Sequence, residues 1–155
     1  MTKPGKIMLV EDDPHDVELT LTALAENHLT NEIVVVRDGA EALDYLYRRG
    51  DYGSRDVGNP AVMLLDLKLP KVDGLEVLKR IKGDSNLKTI PVVMLTSSRE
   101  EQDIARSYGS GANAYVVKPV GFNDFVEAVR ELGLFWAVIN QPPPGSASQT
   151  CWTTI

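Results

Sequence analysis

Five short apolar runs punctuate the chain: KIMLV (6–10), EIVVV (32–36), AVMLLD (61–66), PVVML (91–95) and AYVV (114–117). They lack polar alternation and are rich in β-branched residues, which is how strands buried on both faces read. Longer segments of helical period separate them, and several of these have marked starts. Asp13-Pro14 offers an N-cap with proline at the first helical position, and Asp38-Gly39-Ala40-Glu41 places a glutamate at the third. Ser98-Arg99-Glu100-Glu101 reads as a capping box. The alternation predicts βα units and a parallel sheet covered by helices on both faces.

The last helical stripe is the clearest. Phe122, Phe125, Val126, Val129, Leu132 and Trp136 recur at i, i+3, i+4, i+7, i+10 and i+14, the signature of a core-facing helix side. Beyond it the pattern changes: LGLFWAVIN (132–140) is apolar around most of its circumference, more than one core face can bury, and reads as a partner surface. Phe135 and Trp136 are assigned to a homodimer interface. The segment 141–155, rich in Pro, Gly and Ser, reads as a flexible tail, and 47–60 as a polar, glycine-rich loop. The expected organisation is therefore one domain over 1–140, extended last helix included, followed by the tail 141–155.

Composition narrows the function classes. At 155 residues, 43% hydrophobic and 25% charged, the chain fits one soluble domain. Its net charge of −6 argues against sequence-independent binding to nucleic acid or to an anionic membrane. No N-terminal stretch resembles a signal peptide and no apolar run is long enough to span a bilayer, so a cytoplasmic protein is expected. The single cysteine, Cys151, can form no internal disulfide. His15 and His28 read as solvated helix residues.

In an open parallel α/β sheet, ligands bind beyond the carboxyl ends of the strands, so the residues just after each run carry the chemistry. The first run ends in Glu11-Asp12-Asp13, the third in Asp66, the fourth in Thr96-Ser97-Ser98 and the fifth in Lys118-Pro119. Three carboxylates converging on one rim repel each other unless some are protonated or a cation is present. With oxygen ligands and neither His nor Cys nearby, that cation is expected to be Mg²⁺. A hydroxyl, an ammonium and a divalent cation around one carboxylate suit phosphoryl transfer, with Asp66 as nucleophile.

These residues resemble the receiver domain of two-component response regulators, over roughly residues 5 to 138, with steps of 30 residues from Asp66 to Thr96 and 22 from Thr96 to Lys118. The resemblance implies a flavodoxin-like (βα)5 sheet of order 2-1-3-4-5, and phosphorylation of Asp66 by a sensor histidine kinase. It implies that Asp12 binds Mg²⁺ (or Mn²⁺) directly, Glu11 through water, and Asp66 and the backbone carbonyl of Lys68 complete the protein ligands. It further implies that Thr96 and Lys118 hold the phosphoryl oxygens, that Tyr115 moves inward with Thr96, and that Lys118-Pro119 is a cis peptide. YLYRRGDYG, LDLKLPKVDGLEVL and the FW pair of the last helix are similar to single-domain regulators that partner bacterial phytochromes. Two departures stand out: a longer step from Asp12 to Asp66, assigned to 47–60, and Lys68 where the family commonly has an uncharged polar residue. With no output segment read after residue 140, signalling is expected through a phosphorylation-dependent surface or dimer change.

Two other classes fit less well. An aspartyl phosphatase would want a second acid two residues after its nucleophile, where this chain has Lys68. A flavin module would want a Gly/Ser/Thr phosphate loop where Glu11-Asp12-Asp13 stands. An unphosphorylated interaction module remains as the third reading.

Overall fold

A computed structural model describes residues 5–25, 32–55, 58–96, 101–118 and 123. The elements run β1 (Ile7–Val10), α1 (Pro14–Ala25), β2 (Ile33–Val36), α2 (Gly39–Tyr47), a 3₁₀ turn (Gly50–Tyr52), β3 (Val62–Asp66), α3 (Gly74–Lys82), β4 (Val92–Thr96), α4 (Glu101–Gly109) and β5 (Ala114–Val117). One parallel sheet of order β2-β1-β3-β4-β5 results, as the resemblance implied. Ile7 lies opposite Ile33 and Val62, Met63 opposite Val92, and Val93 opposite Ala114. The first four strands start one residue later than the apolar runs, and β4 continues to Thr96. For β4 the late start has a simple cause: Pro91 carries no N–H to enter a ladder, though its carbonyl still accepts from Met63 N at 2.9 Å.

The sheet is packed on both sides, which explains the unbroken apolar runs. Met8, Val10, Met63, Leu65, Val92 and Met94 face a core shared with Ala42, Leu43 and Leu46 of α2 and Leu75, Leu78 and Ile81 of α3. The intervening residues Ile7, Leu9, Val62, Leu64, Val93 and Leu95 turn the other way, toward Val17 and Leu24 of α1. Burial of each such side chain contributes roughly 1.5–3 kcal/mol, so the apolar strands hold the frame and leave their polar C-terminal ends available for chemistry.

Helix starts follow the sequence signals. Asp13 Oδ1 accepts from His15 N at 2.8 Å and Asp16 N at 3.3 Å, and Asp38 Oδ1 accepts from Glu41 N at 2.7 Å. The His15 side chain is exposed, as expected.

The segment 47–60 differs from the loop its composition suggested. After Arg48, which caps α2 in the left-handed region (φ 55°), the chain turns through the 3₁₀ element and folds back along α2. Tyr52 packs edge-on against Tyr45 with ring centroids 5.1 Å apart, and its hydroxyl donates to Glu41 Oε2. Burial and that hydrogen bond push the Tyr52 phenol up to about 12. Arg55 donates to the Tyr45 carbonyl at 2.7 Å and lays its guanidinium 4.1 Å over the same ring. The anchors are polar side chains and aromatic edges, which an apolar pattern does not register.

The expected capping box at Ser98, the Lys118–Pro119 peptide geometry, the stripe beginning at Phe122, the Phe135–Trp136 patch and the tail 141–155 lie outside the described residues, with His28 and Cys151. Among the described residues, no helix is long and apolar enough to cross a membrane.

Candidate functional site

The C-terminal ends of β1, β3 and β5 bring four charged residues together. Glu11 follows β1 and is almost wholly buried, and its backbone N–H donates to the Val36 carbonyl at 3.0 Å. Asp12, next in the chain, is exposed. Asp66 closes β3 and is only 6% exposed. Carboxylate oxygens of Glu11, Asp12 and Asp66 lie within 4.8 Å of one another. Lys118, just past β5, extends its ammonium into this cluster, pairing with Glu11 Oε1 and standing 3.4 Å from Asp66 Oδ1.

Backbone packing sets the position of Asp66. Gly74 opens α3, donates its N–H to the Leu67 carbonyl at 3.1 Å, and presses so closely on the acceptor strand that a Cβ there would stand 2.1 Å from the Asp66 carbonyl oxygen. Gly39 plays the same part from α2, where a Cβ would stand 1.9 Å from the Val72 carbonyl oxygen. Only glycine allows either approach. Lys71, between them, takes a left-handed φ of 65° and reaches Asp38 Oδ2 at 3.5 Å. The turn after Asp66 is therefore clamped between the N-termini of α2 and α3.

The cluster is electrostatically loaded. Burial and the neighbouring Glu11 carboxylate push the Asp66 carboxyl up to about 7, against the opposing pull of Lys118. Burial alone would lower the Lys118 ammonium, but its hydrogen bonds to Glu11 and Asp16 and the charge of Asp66 outweigh that and hold it above the usual lysine range. One ammonium does not neutralise the carboxylates it faces. The donor set is all hard oxygen, with two carboxylates buried and one open to solvent, which fits a small divalent cation carrying several waters of its own.

Glu11, Asp12, Asp66 and Lys118 are thus brought together as the sequence suggested. Lys68 lies two residues past the acceptor with an exposed side chain. Thr96 ends β4 opposite Val117 in the ladder, and its side chain lies outside the description. Tyr115 sits half-buried in β5 against the core shared with α2 and α3. Phe135 and Trp136 are outside the described residues. Sequence reasoning missed Asp16, whose Oδ2 accepts from Lys118 Nζ at 3.0 Å across 102 positions of chain. The available signal was the Asp13 cap, which makes residue 16 the third of α1 and places it on the same rim.

Similarity to known proteins agrees with this geometry. The response regulator receiver domain profile matches residues 7–130. The probable methanogenesis regulatory protein FilR2 of Methanothrix harundinacea is 42% identical over 140 residues, 90% of this chain and 88% of that protein. The solved bacteriophytochrome response regulator AtBRR is 63% identical, with a TM-score of 0.82 over 90% of this chain and all of that one. Response regulator Rcp1 of Synechocystis sp. is 39% identical over 133 residues, 86% of this chain and 89% of that protein. Its Mn²⁺-bound crystal structure superposes with a TM-score of 0.72, at 38% identity over 90% of this chain and 99% of that one. Matched over most of its length by the family profile, by curated relatives and by solved structures, the chain belongs to the response regulator receiver domain family.

Proposed function

We propose that Asp66 is the phosphoacceptor of this response regulator, taking a phosphoryl group from a sensor histidine kinase. The observation that carries this reading is the convergence of Glu11, Asp12 and Asp66 with the Lys118 ammonium at the ends of three strands. In the transfer an Asp66 oxygen forms a bond to phosphorus while the phosphorus–nitrogen bond to the kinase histidine breaks, its electron pair leaving with the imidazole. Asp12, Asp66 and the Lys68 carbonyl would hold Mg²⁺ (or Mn²⁺), with Glu11 reaching it through water. The bound cation supplies positive charge to the phosphoryl oxygens in the transition state. Lys118 and Thr96 hold the remaining oxygens, and the clamped turn keeps the acceptor in line. Phosphorylation adds roughly two negative charges and three acceptor oxygens, and Thr96 and Tyr115 carry the change to the β5 edge.

The kinase is proposed to be of phytochrome type, on the similarity to AtBRR and to Rcp1. FilR2, at 42% identity, is about as similar as Rcp1 and less so than AtBRR, and is named for a different process, so transfer rates from a bacteriophytochrome kinase and from an unrelated histidine kinase decide the point. The rest of the proposal follows the sequence: a cytoplasmic protein, a receiver over 1–140 that dimerises through Phe135 and Trp136, and a tail at 141–155. Lys68 beside the acceptor sets how quickly water removes the phosphoryl group.

Intact mass after incubation with acetyl phosphate and Mg²⁺ tests the acceptor. Wild type should gain one phosphoryl group and Asp66→Asn none. A gain in Asp66→Asn, or none in wild type with metal binding verified, refutes the assignment.

A further inference from the structure

Lys118 is shared among more carboxylates than phosphoryl transfer needs. Its ammonium pairs with Glu11 and approaches Asp66 at 3.4 Å, yet a third acid, Asp16 of α1, accepts from it at 3.0 Å. Asp16 is neither part of the Glu11–Asp12–Asp66 cluster nor a residue of a neighbouring strand. It is aimed from the first turn of α1, where the Asp13 cap fixes its backbone and the helix N-terminus favours a negative group.

An ammonium has three N–H donors, and here three carboxylates face them. When a phosphoryl group arrives at Asp66 it brings its own oxygens, and one of the three carboxylates must give up its claim on the lysine. Glu11 is buried with no room to turn to solvent, whereas the Asp16 side chain is 29% exposed and can be taken over by water. We infer that Asp16 is a positioning residue that holds Lys118 on the α1 side of the site until phosphorylation, and so acts as a brake on phosphoryl transfer. This rests on Asp66 being the acceptor. Among the described contacts Asp16 pairs with Lys118 and not with Asp66. It acts through the lysine, and its negative charge on the rim also opposes an approaching anionic donor.

The test is the initial rate of phosphorylation by acetyl phosphate in saturating Mg²⁺, on the full chain, read as intact mass. Asp16→Asn should be phosphorylated roughly three to five times faster than wild type, the upper range for a partly exposed ion pair. Asp16→Ala should show the same direction, which keeps the test open should one variant fold poorly. Asp16→Glu, which restores the charge, should return to within about twofold of wild type. Glu18→Gln removes the same charge from an exposed position of the same helix and should leave the rate within about twofold. A rate for Asp16→Asn equal to or below wild type overturns the brake. So does a Glu18→Gln rate matching that of Asp16→Asn, because long-range charge alone would then suffice. Absence of phosphorylation in wild type defeats the acceptor assignment itself, whereas phosphorylation without acceleration in Asp16→Asn defeats the brake alone.

Discussion

Replacing Asp66 with asparagine should make the metal-free protein more stable while abolishing its proposed activity. Asp66 is 6% exposed and faces Glu11, and together burial and repulsion raise its carboxyl from 3.8 to about 7. An acid raised on folding keeps its proton longer in the native state than in the unfolded chain. The native state holds that advantage in full below pH about 4 and loses it as pH rises through about 7. The full displacement is worth about 4 kcal/mol at high pH. The rim is open to solvent on the Asp12 side, which screens the repulsion, so about 2 kcal/mol is the expected net gain. The lost pairing with Lys118 subtracts little, because Glu11 and Asp16 still satisfy the ammonium. Thermal unfolding in EDTA should therefore show wild type and Asp66→Asn nearly equal at about pH 3.5, with the gap opening from pH about 4 upward. At pH 8 the variant should be higher by about 4–8 °C for a domain of this size. Saturating Mg²⁺ should stabilise wild type by roughly 3 kcal/mol at a hundredfold excess over Kd and close the gap. A variant less stable than wild type at pH 8 in EDTA would mean that Lys118 more than compensates the buried acid, and the electrostatic account of the site would fail.

Gly74→Ala should cost about 2–4 kcal/mol, read by urea unfolding, because a methyl group 2.1 Å from the Asp66 carbonyl oxygen forces the acceptor turn outward; it should also slow phosphorylation by acetyl phosphate. Tyr52→Phe removes the hydroxyl that donates to Glu41 and should destabilise by roughly 1 kcal/mol while leaving the phosphorylation rate unchanged. Hydrogen exchange at 48–55 should rise in that variant, and unchanged protection there would show that the Tyr45 contacts hold the segment alone. Polar replacement of both Phe135 and Trp136 should lower the sedimenting mass to that of a monomer, and an unchanged mass would remove them from any dimer contact.

Strand order aside, the frame was legible because the strands of a sheet covered on both faces leave uninterrupted apolar runs, fully buried in β1 and β3 and partly so in β2 and β5, and the capping acids Asp13 and Asp38 mark where two helices begin. Glu11, Asp12, Asp66 and Lys118 were legible for a topological reason: parallel strands put all their C-terminal residues on one rim, so adjacency in space follows from position in each run. Asp16 was not legible in this way. The Asp13 cap and the buried face of α1 put it on the rim, but its meeting with Lys118 joins residues 102 positions apart and depends on how far each side chain reaches, which no local pattern states. The 3₁₀ turn at Gly50–Tyr52 was hidden for a different reason, since Tyr52 and Arg55 are fastened by hydrogen bonds and ring contacts within a stretch whose composition signals a loop.

The sheet is unevenly gripped. Every side chain of β1, and Val62 through Leu65 of β3, is cut off from solvent, whereas the edge strands are looser: β2 is half-buried at three of its four positions and β5 alternates between buried and half-buried, with Tyr115 on the looser side. Shifting the central strands would open voids on both faces at once, at a cost set by the lost packing. The centre is therefore the anvil of the molecule, and the edge strands β2 and β5 are its softer margins. Asp66, at the end of a central strand, thus sits where the sheet is held most tightly, with the more yielding strands at its two edges.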